Sequence, residues 1–372
     1  VEKAFNSLIQ LLDFFKDESV CKEYLAKHRW PDGVKCPHCQ SIKIYTTNRG
    51  YRCKEKACDK KFSVITGTIY ENTKIDLRSW FAAMYLITAH KKGISSHQLA
   101  RDLHVTQKTA WFLSHRVREM LNEKDPQALK GNIEVDETFV GGKNKNRHKE
   151  KKIEGSQGRS SKDKKPVFGI VQKKEYKIIE RPNKINNSLI IKEKIITNPS
   201  RIICKVIDDT EAVTLQTIIT SNVESESVII SDAYKSYIGL DSTYSHVRIK
   251  HTDGDYKTKG EHHTNTIEGF WTLFKRSYIG VYHYMSAKHL QRYVDELSFR
   301  YNTVNLTDCY RFEEAINKSD NARLRYKDLI GDGRKKRKKE SFEEKGLGEN
   351  KEENSRQERF RSEAEFRSDI SS

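Results

Sequence analysis

Four of the seven cysteines, Cys36, Cys39, Cys53 and Cys58, fall within one short stretch of the sequence. No other feature restricts the fold of this chain as strongly. Two close pairs separated by a loop gather four soft ligands into a tetrahedron with little loss of chain entropy. Cys36-Pro37-His38-Cys39 makes one knuckle, and Cys53 with Cys58 supplies the second pair at a looser spacing. Cys21, Cys204 and Cys309 stand alone. An odd count with one tight cluster argues for a metal in a reducing compartment rather than for a disulfide framework. Residues 31–72 are therefore expected to form a zinc ribbon. Its Zn²⁺ is expected to be structural, because four thiolates leave no open position. His38 lies inside the knuckle, where it would compete with its neighbours, and is not counted as a ligand. Arg49, Arg52, Lys54, Lys56, Lys60 and Lys61 decorate the ribbon, which suits contact with phosphate.

These cations belong to a wider excess. The 372 residues hold 69 Lys and Arg against 52 Asp and Glu, a formal charge of +17. A charge of that size implies a polyanionic partner, with nucleic acid ahead of an anionic membrane surface. No run approaches the roughly 18 apolar residues of a membrane span. The start, with its amphipathic run from Phe5 to Phe15, lacks the basic region and cleavage site of a secretory leader. The expected location is the cytoplasm, on the nucleoid, in a bacterium, and the nucleus in a eukaryote.

Residues 1–30 read as helical, since Phe5, Leu8, Leu11, Leu12 and Phe15 recur at helical spacing. Residues 73–125 are helical again, with Trp80, Ala83, Met84 and Ile87 in one stripe. Gly93 to Glu119 has the layout of a helix-turn-helix. A short helix from Ser96 to Leu103 is followed by a turn at His104-Val105 and a longer helix capped by Thr106. This region is expected to bind DNA. Gln107, Lys108 and Thr109 would face base edges, and His115, Arg116 and Arg118 would face phosphates.

From about residue 130 the pattern changes to strands. Ile133-Glu134-Val135-Asp136, Val167 to Val171, Ile202 to Ile207 and Val228-Ile229-Ile230 are short β-rich runs, with helical stretches at about 210–220 and 265–277. The alternation predicts a mixed α/β domain over 130–325. Within it, 143–165 is a Gly/Ser/Lys-rich insertion in which ten Lys or Arg face three acids, expected to be a mobile basic loop. Residues 331–372 are charged and poor in apolar residues, and are expected to be disordered.

Asp136 and Asp232 each end a strand pattern. An acid there is held rigidly at the rim of the sheet, and two on neighbouring strands can bind a pair of divalent ions roughly 4 Å apart. Hard oxygen ligands suit Mg²⁺ or Mn²⁺. Glu134 and Glu137 are expected to point to the other face of the strand from Asp136. A third ligand is expected on a helix beside the strands. Asn265 and Glu268 are three apart and share a face of such a helix. Glu268 brings charge and is preferred, with Asn265 as neighbour or substitute. Lys275, two turns along, can meet a phosphate near the metals.

The order of these motifs resembles one family. Cys36-Pro37-His38-Cys39, Tyr51-Arg52-Cys53, Phe62-Ser63-Val64-Ile65-Thr66-Gly67-Thr68-Ile69, Glu134-Val135-Asp136-Glu137-Thr138-Phe139-Val140-Gly141-Gly142, Ser231-Asp232-Ala233-Tyr234, His263 to Trp271 and Phe299-Arg300-Tyr301-Asn302 look like the zinc-ribbon insertion-sequence transposases with an ISXO2-like domain, relatives of the Merlin transposons. The resemblance runs from about residue 10 to 325. It implies an RNase H-like catalytic domain with a DDE-type metal site and cut-and-paste transposition. By position the first two acids are Asp136 and Asp232, the third falls in Asn265–Glu268, and Lys275 matches the basic residue that follows. The expected partners are double-stranded DNA, as terminal inverted repeats and target, and a second copy of the chain in the synaptic complex. Two other readings remain: a domesticated, non-catalytic DNA-binding protein, and an RNase H-like nuclease that does not transpose.

Overall fold

The structure, a computed structural model, describes residues 5–141, 148–154, 164–182, 189–249 and 262–331. Most of the basic insertion 143–165 and nearly all of the tail 331–372 lie outside the described residues. The chain divides into two compact units, Val1–Arg323 and Leu324–Ser372. The second contains one described helix, Tyr326–Ile330.

The first unit opens with helices α1 (Leu8–Phe14) and α2 (Glu18–Arg29). The ribbon follows as an antiparallel sheet of β1 (Ile44–Thr47), β2 (Gly50–Cys53) and β3 (Lys61–Phe62). Three more helices come next, α3 (Leu77–Ala89), α4 (Ser96–Asp102) and α5 (Gln107–Met120). All five helices start on a side-chain cap: Ser7, Asp17, Asp76, Ser95 and Thr106 each accept a backbone N–H of the first turn.

Helix α3 is buried almost from end to end, with Trp80, Phe81, Ala83, Met84 and Ile87 inaccessible. A helix that is apolar all round needs cover on every side. Its sequence neighbours α1, α2 and α5 supply part of that cover. The rest comes from α9 (Asp308–Asn317), whose Phe312 ring lies 5.4 Å from those of Phe81 and Phe5. The ribbon keeps a small cluster of its own around Cys36, Cys53 and Phe62, while the helical core reaches across residues 72 and 125. One core runs through residues from Phe5 to Leu121 and takes in Phe299, Phe312, Ala315 and Ile316 from the end of the segment expected to be catalytic.

The larger sheet is built from β4 (Asn132–Val140), β5 (Lys165–Gln172), β8 (Arg201–Val206), β9 (Val228–Asp232) and β10 (Ser245–Ile249). Its order is β10-β9-β4-β5-β8. β5 is antiparallel to β4 and to β8, while β9 runs parallel to β4 and to β10. Counted in chain order, the strands lie 3-2-1-4-5 with the second reversed, which is the RNase H-like arrangement. One face carries α6 (Ala212–Asn222), whose Leu215 and Ile219 meet Ile133, Val135, Phe168, Ile170 and Ile229. The other carries α7 (Asn265–Ser277) and α8 (Leu290–Asn302) over Val167, Val171 and Ile202. Among the described residues no helix is long and apolar enough to cross a membrane.

Between β5 and β8 the chain makes a two-stranded arm, β6 (Glu175–Pro182) and β7 (Ile190–Asn198), that the sequence reading did not anticipate. It continues the pairing of β5 with β8 and is largely exposed. With neither face in the core, its sequence carries no inside-outside alternation to read.

Candidate functional site

The ribbon brings its four cysteines together. All four sulfurs lie within 4.8 Å of one another, with Cys36 Sγ 3.8 Å from Cys58 Sγ and Cys39 Sγ 3.6 Å from Cys53 Sγ. Four thiolates at about 2.3 Å from a tetrahedral Zn²⁺ stand roughly 3.8 Å apart, so the quartet fits the ion. Burial raises the Cys36 thiol, but backbone N–H groups of His38 and Cys39 aimed at its sulfur outweigh that and leave it below the usual value. Trp30, Tyr51 and Phe62 pack beside the quartet.

The acids occupy the other site. β4 and β9 pair from Asn132 with Val228 through Glu134 with Ile230, and Asp136 and Asp232 each stand two residues further on. Side chains alternate along a strand, so both point to the α7 face, on neighbouring strands about 4.8 Å apart. Asp232 Oδ1 accepts the Tyr234 N–H at 3.0 Å, which fixes that carboxylate at the strand's end. From the opposite face the buried Tyr237 hydroxyl donates to Glu137 Oε2 at 2.8 Å. Burial, then Glu137, then the charges of Asp136 and Asp232 hold the Tyr237 hydroxyl far above its ordinary pKa. Glu137 thus faces away from Asp136, as expected, but Glu134 does not. Two residues apart on a strand means the same face, and Glu134 lies buried beneath α7.

Helix α7 buries Ile267, Phe270, Trp271 and Phe274. Trp271 sits on Gly169, the residue paired with Asp136, where a Cβ would come within 2.7 Å of the indole. Phe270 meets Tyr301 of α8 at 5.4 Å, so that flank faces β8. At about 100° per residue, Glu268 and Lys275 fall on the flank opposite Phe270. Asn265 falls on the side facing away from the sheet. All three are exposed. Glu268 Oε1 accepts from Thr264 Oγ1 at 2.9 Å. Among the described residues the cysteine quartet is the one metal-ligand group gathered within 4.8 Å, so Asp136, Asp232 and Glu268 do not close that tightly. Three carboxylates without a thiol suit Mg²⁺ or Mn²⁺ by donor type.

The helical pair forms as expected, but most of its second helix faces inward. Gln107 and Lys108 are exposed at the start of α5, with Gln107 Nε2 donating to Ser96 Oγ at 2.9 Å. Thr109 is half-buried and its N–H is taken by the Thr106 cap at 3.2 Å. Arg116, expected on phosphate, is only 6% exposed. Its guanidinium donates to the carbonyls of Ile69 and Glu71 and lies 4.9 Å from the centre of the Trp80 ring. Its neighbours His115 and Arg118 are buried too, Arg118 on Glu296. The correction has a plain cause: α3 and α8 cover that stretch of α5, and α8 lies far away in sequence. On the ribbon, Arg49 is exposed in the β1–β2 turn, and Arg52 Nε donates to Asp59 Oδ1 at 2.7 Å.

The family model of the ISXO2-like transposase domain matches residues 128–302, and that of the transposase zinc-ribbon domain matches residues 16–61. An uncharacterized protein in the transposable element ISH50 of Halobacterium salinarum is 28% identical over 275 residues, covering 70% of this chain and 83% of that protein. An uncharacterized transposase-like protein of Haemophilus influenzae is 30% identical over 98 residues, covering 26% of this chain and 77% of its own. The crystal structure of a pre-cleavage Mos1 transpososome aligns with 83% of this chain and 94% of its own at 12% identity, but its TM-score of 0.20 is too low to relate the folds.

Proposed function

The chain belongs to the ISXO2-like transposase family with its zinc ribbon, and we propose that it cuts DNA at the terminal inverted repeats of its own element and joins the freed ends to a target. The observation that carries this reading is the placement of Asp136 and Asp232. They stand on neighbouring strands of an RNase H-like sheet, two residues beyond the last pair that joins β4 to β9, on the face that α7 covers.

In this reading Asp136, Asp232 and Glu268 would hold two divalent ions, Mg²⁺ or Mn²⁺. Such ions, when bound, activate a water or a 3′-hydroxyl and stabilise the leaving oxygen. The protein positions and neutralises. The strands hold the first two carboxylates rigidly, the helix presents the third, and Lys275 meets a phosphate beside them. The Zn²⁺ held by Cys36, Cys39, Cys53 and Cys58 is structural. Arg49, Arg52, Gln107 and Lys108 form the DNA-facing set, with Thr109 at its edge. Joining two ends requires at least two copies of the chain in the working complex. The expected place of action is the nucleoid or the nucleus, where that DNA lies.

The test uses purified full-length chain and plasmid DNA carrying the sequences that flank its coding region. Asp136→Asn and Asp232→Asn are expected to abolish Mg²⁺-dependent cleavage while DNA binding in a mobility-shift assay stays within about threefold. Undiminished cleavage by either variant would overturn the metal-site reading.

A further inference from the structure

Glu134 lies on the catalytic strand yet has no part in the chemistry described so far. Its side chain has no exposed surface. A buried carboxylate is costly unless it is hydrogen-bonded and paired, and Glu134 is both. Oε1 accepts from Thr266 Oγ1 at 2.8 Å, and Oε2 accepts the backbone N–H of Ile267 at 2.9 Å. Both donors belong to the first turn of α7, where the helix dipole favours negative charge. Lys173 Nζ stands 3.7 Å from Oε1 and offsets its charge, and His263 Nδ1 lies 3.4 Å from the same oxygen.

These contacts join the two elements that the proposed site needs. Glu134 shares a face of β4 with Asp136, two residues on. Ile267, whose N–H it holds, is the residue before Glu268. A short, dry set of bonds therefore links the strand of the first acid to the helix of the third. Each Glu134 oxygen already takes a donor from α7, which marks it as a tether rather than a ligand. Glu268 is exposed, and among the described residues its carboxylate bonds to Thr264, just before the helix, so the helix start sets its place.

We infer that Glu134 is a positioning residue: it locks the first turn of α7 against β4 and thereby fixes where Glu268 stands relative to Asp136 when a divalent ion binds. The inference rests on the metal-dependent reading above.

The experiment measures Mn²⁺ binding to the full-length chain by electron paramagnetic resonance without DNA, and the Mg²⁺ concentration for half-maximal cleavage with it. Glu134→Ala is expected to weaken Mn²⁺ binding about tenfold and to raise the Mg²⁺ requirement similarly, since two hydrogen bonds of ordinary strength are lost. Glu134→Gln is expected to stay within about threefold, because its amide oxygen still accepts the Ile267 N–H and the Thr266 hydroxyl can turn to accept its NH₂. Thr266→Val, which removes one bond, should fall between wild type and Glu134→Ala. The inference is overturned if Glu134→Gln is as damaging as Glu134→Ala, which would make Glu134 a ligand, or if Glu134→Ala binds Mn²⁺ as wild type does. Should Glu134→Ala not fold by circular dichroism, Thr266→Val decides, and unchanged Mn²⁺ binding in that variant overturns the inference. Asp136→Asn separates the two claims. If it binds Mn²⁺ normally, the metal site itself is misplaced. If it loses binding while the Glu134 and Thr266 variants do not, only the tether is refuted.

Discussion

The ribbon with its helical core and the larger sheet treat their polar groups in opposite ways. In the first, the thiols and the buried arginines of α5 and α8 already face counterparts. Four sulfurs stand within 4.8 Å of one another, Arg116 is spent on the carbonyls of Ile69 and Glu71, and Arg118 and Arg300 both close on the buried Glu296. In the second, Asp136, Asp232 and Glu268 stay further apart than the thiols do. Protonated thiols are neutral and can crowd together before a metal arrives. Carboxylates repel and remain apart until a cation bridges them. One site belongs to folding, and the other, in the proposed reading, is completed by its ions and its substrate.

The contrast can be broken most severely at the ribbon. Cys53→Ser, or dialysis against a strong chelator, should remove one Zn²⁺ per chain and with it a binding free energy on the order of 10 kcal/mol that folding draws on. Zinc analysis with limited proteolysis would show it. A ribbon that resists protease equally well without zinc would erase the distinction. The same treatment in the sheet should cost activity alone. Glu268→Gln is expected to lower cleavage at least about a hundredfold with a melting change within about 0.5 kcal/mol, because the residue is exposed. Asn265→Ala should stay near wild type. If only the Asn265 change abolishes cleavage, the third ligand is misassigned. The smallest effect belongs to the helical core. His115 is buried against Trp111, His289 and Tyr293, and neither ring nitrogen has a hydrogen-bond partner. Burial, with Arg118, His289 and Arg292 nearby, pushes its pKa down to about 2. A base with a depressed folded pKa supports the fold above its unfolded value near 6.5 and loses that support as pH falls. Denaturant titration should therefore lose about 2 kcal/mol between pH 7 and pH 5 from this residue, and His115→Leu should flatten that part of the slope.

The parts that could be read from the sequence are those whose chemistry is local. The cysteine pairs, the cap at Thr106 and the strand ending at Asp232 depend on residues a few positions apart, and each stands in the structure where its pattern put it, whereas the strand of Asp136 runs on to Val140. Arg116 was legible as a cation on a helix but not as a buried one, because the carbonyls of Ile69 and Glu71 and the Trp80 ring that take its guanidinium belong to other segments of the chain. The arm of β6 and β7 has no buried face to impose a period. Glu134 is a different case. Strand parity alone places it beside Asp136, and the sequence carried that signal all along. The preference for Glu268 over Asn265 rests on charge, and the contact of Phe270 with Tyr301, invisible in the sequence, shows which flank of α7 each residue shares.

The cover that α9 gives to α3 also has a consequence for the order in which the molecule comes off the ribosome. When α5 has been made, Phe81 and its neighbours still lack Phe312, and they keep lacking it while the whole larger sheet is synthesised. Domains emerging from the ribosome generally fold in the order of synthesis. Here the first one started is the last one closed. A nascent chain that stalls before residue 308 would display an open aromatic groove, a natural target for chaperones and proteases. Incomplete copies would thus be marked for removal before they could occupy DNA.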